Sequence, residues 1–256
     1  MLNPWMFILL GFFVGAFGTL VGAGGGFILM PIFFFLYPNE PAAHLTAISL
    51  AVVFFNAFSG SVAYAFKKRI DYKSGIIFAI ASIPGAVLGS LTVPHLSRKY
   101  FDPIFALFLI LAGLYLFFKK TKEQNNTEES FTIKPYNMSV GIALSVVVGF
   151  ISSLLGIGGG IIHVPALVYL LHFPVHMATA TSHFILAIMA LFGSLTHLYE
   201  GSLQQGFQHI LFLAPGVIVG AQVGAKFSSK LKGNLIIRIL ALAIISVGIR
   251  LLLRSN

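Results

Sequence analysis

The chain of 256 residues is 57% hydrophobic and 9% charged, with a mean hydropathy of +0.94; a soluble domain carries about 25% charged residues, so an integral membrane protein is expected. The net charge of +9 is then read as topology signals and lipid-headgroup contacts rather than as a nucleic-acid surface. The lack of any cysteine excludes disulfides, thiolate metal sites and cysteine nucleophiles.

In chain order, residues 4–21 form an apolar run of about 18 residues, enough for most of a crossing. It has no basic leader and no small-residue cleavage signal, so it is read as retained. The cluster Gly22-Ala23-Gly24-Gly25-Gly26 follows. Residues 27–37 then supply half a crossing, about 16 Å at ~1.5 Å per residue. Pro38 and Pro41 force a turn. Residues 42–66, 72–93 and 103–118 are full spans, separated by the basic loop Lys67-Lys68-Arg69 and by a loop holding Arg98 and Lys99. The sustained polar stretch 121–135 is read as a flexible linker.

The second half repeats this order. Residues 140–155 precede Gly156-Ile157-Gly158-Gly159-Gly160, residues 161–171 are the second short segment, and Pro174 marks the turn. Spans at 175–198, 207–227 and 235–252 complete it. The match extends beyond the glycines: Gly15 aligns with Gly149, Pro31 with Pro165, Thr46-Ala47-Ile48-Ser49 with Thr179-Ala180-Thr181-Ser182, Gly60-Ser61 with Gly193-Ser194, and Pro84-Gly85 with Pro215-Gly216. The chain therefore divides into a first repeat (1–120), the linker (121–135) and a second repeat (136–256).

The repeats are parallel if each short segment completes a crossing, and inverted if it returns as a re-entrant hairpin. The inverted arrangement gathers Lys67, Lys68, Arg69, Lys73, Lys119, Lys120, Lys122, Lys134, Lys226, Lys230, Lys232 and Arg238 on one side and leaves Arg98, Lys99, Arg250 and Arg254 on the other, a split of 12 to 4 against 10 to 6 for the parallel one. By the positive-inside rule the inverted arrangement is favoured, with both termini on the outer side of the cell (inner) membrane. The expected fold is an all-α, polytopic membrane helix bundle of two homologous inverted repeats, each with a glycine-broken re-entrant helical hairpin.

The seven acids are Glu40, Asp71, Asp102, Glu123, Glu128, Glu129 and Glu200, and each falls in a predicted loop or at a span end. Intramembrane carboxylates mark cation sites and proton relays, so a sodium or metal carrier is not expected, and no cofactor is. The glycine breaks carry the chemistry instead. The first amides of a helix have no internal partner, and the helix dipole adds roughly half a positive charge there. Two such ends facing one another bind an anion without a fixed cationic side chain. The alternative role of such glycines is close helix packing. Two triple-glycine clusters, each followed by a proline, favour the site.

On Gly22-Ala23-Gly24-Gly25-Gly26 with Pro31, on Gly156-Ile157-Gly158-Gly159-Gly160 with Pro165, and on the paired Thr-Ala-x-Ser segments, the chain resembles the TauE/SafE sulfite-exporter family over essentially its whole length. The resemblance implies secondary transport of small sulfur-containing anions such as sulfite or organosulfonates.

The substrate-binding residues expected are Gly24, Gly25, Gly26 and Phe27 in the first break and Gly158, Gly159, Gly160 and Ile161 in the second. Thr46, Ser49, Thr179 and Ser182 begin the following spans and can donate to sulfonate oxygens, or else cap and cross-link helices. His183, beside Ser182, and His163 lie where the first repeat has Leu50 and Leu29, and are the candidates for a coupling proton. Asn56 and Gln222 are weaker candidates, and His197 is read as structural. No metal site and no catalytic residue is expected; Ser182 and His183 are sequence neighbours that point about 100° apart on a helix. A passive anion channel, or a carrier of another small solute, is the alternative function. The partners expected are a small anion, the bilayer and a coupling proton.

Overall fold

The computed structural model describes residues 3–118 and 136–228 and scattered positions between 241 and 253. The linker 121–135 and most of the span predicted at 235–252 lie outside the described residues. Among these the helices are α1 (Pro4–Val21), α2 (Gly26–Leu36), α3 (Ala42–Phe66), α4 (Tyr72–Thr92), α5 (Arg98–Phe118), α6 (Met138–Leu155), α7 (Gly160–Tyr169), α8 (Val175–Tyr199) and α9 (Phe207–Phe227). No strand occurs among the described residues. Seven of the nine helices are long and apolar enough to cross a membrane; α2 and α7 are the two short ones.

Local chemistry sets most boundaries. Pro41 and Pro174 stand at matching positions just before α3 and α8, where the missing N–H costs nothing. Asp71 caps α4 by accepting from the Ser74 amide at 3.3 Å, and Asn137 caps α6 by accepting from Ser139 at 3.0 Å. α1 and α6 each end on a glycine in the left-handed region, Gly22 at φ 82° and Gly156 at φ 66°, which costs glycine little. One boundary departs from expectation: α5 begins at Arg98 rather than at Pro103. Arg98 pairs with Asp102 one turn on at 2.8 Å and lies over the Phe34 ring, so residues read as loop extend the helix.

The repeats are interleaved. α1 of the first half packs on α9 of the second, and α6 of the second packs on α4 of the first. Both contacts are backbone-close and both run parallel. A Cβ on Gly11 would fall 2.3 Å from the Leu213 carbonyl oxygen, and one on Gly15 would fall 2.4 Å from that of Val217. Gly216 and Gly220 return the contact onto Ile8 and Phe12. Gly85, Gly89 and Gly149 do the same between α4 and α6. Without water to drive helices together, such small-residue contact is how membrane helices gain packing.

α3 and α8 are the innermost long helices and cross antiparallel. Gly60 meets His183, whereas Leu50, ten residues earlier, meets Gly193, ten residues later. Ring contacts tie down the ends of the short helices. Phe7 at the start of α1, Tyr37 at the end of α2 and His209 at the start of α9 form one cluster, with Phe7 and Tyr37 each 5.2 Å from the His209 ring. Tyr136 before α6 and Phe173 beyond α7 form the counterpart at 5.3 Å, beside Phe78 of α4. Each short helix thus ends beside the start of the long helix that precedes it.

These contacts define two faces. One holds Glu40, Arg98, Asp102 and His209, with the Arg98 guanidinium donating to the Glu40 carbonyl at 3.2 Å. The other holds Lys67, Lys68, Arg69, Asp71, Lys73 and Lys226; there the Lys67 amine donates to the Ala225 carbonyl and Ser74 bonds the Tyr136 hydroxyl. Burial, with Arg69 nearby, holds the Lys67 amine below the usual lysine range.

Candidate functional site at the paired helix breaks

The two glycine clusters lie 134 residues apart in sequence and in direct backbone contact in the fold. A Cβ on Gly160 would fall 2.1 Å from the Gly22 oxygen, and one on Gly26 would fall 2.6 Å from the Gly156 oxygen. Gly158 approaches the Ala23 oxygen in the same way. Only glycines permit this approach, because any Cβ would overlap a carbonyl of the opposite break. Gly24, Gly25 and Gly158 also sit at φ between 73° and 79°. The copies differ in one respect: Gly159 has φ −64° where Gly25 has 79°.

The short helices open one residue earlier than the sequence suggested, at Gly26 and Gly160. Inside each break the chain closes partly on itself. Ala23 and Gly24 both donate to the Gly18 carbonyl, and Gly156 and Ile157 both donate to that of Ser152. The amides of Gly25, Gly26 and Phe27, and those of Gly159, Gly160 and Ile161, meet no acceptor among the described residues. All six residues are buried. Buried amides without a partner are rare and costly, and here six of them lie at two helix N-termini whose backbones touch. Val53 of α3 and Leu186 of α8 face Gly24, Val53 also faces Gly158, and Phe27 and Ile157 are fully buried.

The hydroxyls expected to line the site fall into two groups. Ser49 donates to the Gly156 carbonyl at 2.5 Å and Ser182 to that of Gly22 at 3.4 Å. Each serine therefore fixes the break of the opposite repeat. Thr46 and Thr179 also touch the opposite breaks, through their methyls, at Gly156 and Gly22. Their hydroxyl protons, however, go to carbonyls of their own helices, those of Ala42 and Ala43 for Thr46 and that of Val175 for Thr179.

His183 is fully buried one helical turn from Thr179, with its ring between the Gly22 backbone and Thr19 of α1. Its Nε2 lies 3.3 Å from the Thr19 hydroxyl, which donates to Asn56 Oδ1 at 2.5 Å. Thr19 has one proton to give, so Nε2 carries the imidazole proton. The Asn56 amide reaches the Gly15 carbonyl at 3.5 Å and lies against Gly18 and Gly25. The Tyr64 hydroxyl donates to the Thr19 carbonyl at 2.9 Å. This Thr19–Asn56–Tyr64–His183 network braces the first break from behind. Sequence reading placed Asn56 low and did not single out Thr19; the available signal was a hydroxyl three residues before a glycine cluster in an otherwise apolar run. His163 lies apart, on α7, 3.1 Å from Ser145 of α6. Gln222 donates to Ser59 at the periphery. No group of three or more metal-ligating side chains gathers among the described residues.

A polytopic helix bundle with two broken helices meeting at its centre is the build of a membrane transporter. Comparison with known proteins agrees: the chain belongs to the sulfite exporter TauE/SafE family, whose model matches residues 7–251. It is 33% identical over 264 residues to the probable membrane transporter protein YunE of Bacillus subtilis, covering 96% of each chain. A probable membrane transporter protein of Methanocaldococcus jannaschii is 31% identical over 238 residues, covering 88% of this chain and 86% of that one. One from Haemophilus influenzae is 29% identical over 237 residues, covering 89% and 87%. No solved structure matches the chain.

Proposed function

We propose that this protein is a secondary transporter that exports a small sulfur-containing oxyanion, such as sulfite or an organosulfonate, by alternating access. The observation that carries the reading is six unpartnered, buried amides at two helix N-termini that touch, with no carboxylate beside them among the described residues. Such ends present N–H donors and partial positive charge to an anion. The anion sits between Gly24–Phe27 and Gly158–Ile161. Ser49 and Ser182 turn their hydroxyls from the break carbonyls to its oxygens, Thr46 and Thr179 wall the site, and His183 accepts the coupling proton on Nδ1, which has no partner among the described residues.

Inverted repeats with re-entrant hairpins are the arrangement we favour. The antiparallel crossing of α3 and α8 supports it, as does the return of α2 and α7 to the starts of α1 and α6. Among the described basic residues, Lys67, Lys68, Arg69, Lys73 and Lys226 share one face, against Arg98 and Lys99 on the other. The positive-inside rule then makes the lysine face cytoplasmic, with the cell membrane as the proposed location.

The test is binding by purified protein across sulfite, thiosulfate, taurine, sulfoacetate and sulfate at two pH values, with transport into proteoliposomes. At least one anion should bind saturably and move against its gradient, and the double variant Gly25→Val, Gly159→Val should lose both. Preserved transport in that variant would end the reading.

A further inference from the structure

The two repeats place matching polar clusters beside the breaks, and the clusters are not equally satisfied. Thr19, Gly60, Ser61 and Tyr64 of the first half correspond to Ser153, Gly193, Ser194 and His197 of the second. Around Thr19 the Thr19 and Tyr64 hydroxyls and His183 Nε2 are paired, as described above, and only Ser61, like its counterpart Ser194, and the outer ring nitrogen of His183 meet no partner among the described residues. Around Ser153 the matching groups are unpaired. Met189 stands where Asn56 would be, and Leu50 where His183 would be. The hydroxyls of Ser153 and Ser194 and both ring nitrogens of His197 meet no partner among the described residues. Ser153 and His197 are wholly buried and Ser194 is 8% exposed.

Ser153 of α6 meets α8 at Gly193, where Ser90 of α4 also reaches. The Ser153 and Ser90 hydroxyls lie 3.0 and 3.3 Å from where a Gly193 side chain would begin, with Leu50 beside them. Ser90 donates to the Gly193 carbonyl at 3.3 Å. His197 lies one turn beyond Gly193 on the same face of α8, in the last turn of that helix. Ser152, also unpartnered, leads inward to Gly159. A line of unpaired donors thus runs from the second break toward the Glu200 end of α8.

Buried polar groups are normally hydrogen-bonded, so four unpartnered atoms on neighbouring turns of α8 and the facing end of α6 call for a polar partner. The side chains there are hydroxyls and one imidazole. The nearest acid along α8, Glu200, is exposed beyond its end, so a cation would find no counter-charge. We infer that Ser153, Ser194 and His197 form a second oxyanion station, on the outward half of the path between the glycine breaks and the Glu200 face. The two hydroxyls and one imidazole N–H hold the anion after it leaves the breaks. This rests on the transport reading above and adds a site to it.

The chain has no cysteine, so single cysteines report without background. In proteoliposomes of the full chain, Ser153→Cys and Ser194→Cys are exposed to two small methanethiosulfonates of similar size, one bearing an ethylsulfonate and one an ethyltrimethylammonium. Both cysteines should react from the Glu200 face alone, and at least tenfold faster with the sulfonate. Adding His197→Leu should bring the two rates close to parity, and His197→Gln, which keeps an N–H donor, should restore the preference. Thermal unfolding checks that each variant is folded. No reaction from either face, or equal rates for the two reagents in the His197 background, would overturn the station; equal rates would leave only a hydrated crevice. Gly25→Val, Gly159→Val separates the two ideas. If it transports normally the central reading fails, whereas the labelling pattern decides the outer station by itself.

Discussion

At the scale of single residues, the proposed function rests on what the glycines exclude. Gly160 has no room for one more carbon, because the Gly22 carbonyl oxygen stands 2.1 Å from that position. Gly160→Val should therefore force the breaks apart and abolish transport while the outer helices still assemble, which proteoliposome flux and gel filtration would show. Overpacking of this kind costs about 1–3 kcal/mol. Asn56→Leu tests the brace. It leaves Thr19 without its acceptor in a buried site, at a cost of about 1–3 kcal/mol, and the thermal midpoint of detergent-purified protein should fall; an unchanged midpoint would show that Asn56 is not structural. Thr46→Ala and Thr179→Ala should leave flux near the parent rate, since their hydroxyl protons already serve their own helices. Ser49→Ala with Ser182→Ala should lower it.

At the scale of the element, parallel glycine-lined pairs hold the bundle together. Gly220 of α9 lies so close to α1 that a Cβ would fall 2.1 Å from the Phe12 oxygen, and Gly89 of α4 bears on the Phe150 oxygen at 2.4 Å. Gly220→Leu and Gly89→Leu should each lower the thermal midpoint and the yield of folded protein by similar amounts, because they sit at matching positions of the two repeats. A large effect from one and none from the other would mean that the pairs are not equivalent. Element lengths were legible in the sequence: 207–227 is reproduced to the residue, and 4–21 likewise. Pro103 misled at the start of α5, where the pairing of Arg98 with Asp102 carries the helix back one turn.

At the scale of the molecule, the topology makes a prediction that single cysteines can check in intact cells. Asn39→Cys and Gly201→Cys should label from outside with an impermeant maleimide, and Lys68→Cys and His172→Cys only after permeabilisation. Parallel repeats would instead group Asn39 with His172. Duplication, the paired breaks, the absence of acids from the middle of the spans and the family resemblance could all be read from the chain, because each is a matter of residue type and order. The alignment of Thr19 with Ser153 was equally present, but nothing in it told that one hydroxyl is paired and the other is not. Partnership depends on helices more than 30 residues distant in the chain.

The sequence by itself determined that the protein lives in a membrane, that it is built twice over, and that each copy breaks a helix at glycines in mid-span; composition and repeat spacing suffice for these. Only the tertiary structure decided that the two breaks touch, that Ser49 and Ser182 each secure the other repeat's break, and that α1 packs on α9 rather than within its own half. The reason is physical. Hydropathy acts residue by residue along the chain, whereas the close approach of two backbones is a property of pairs of surfaces, and in lipid, where apolar burial between helices is worth little, that pairing is set by fit and hydrogen bonding alone.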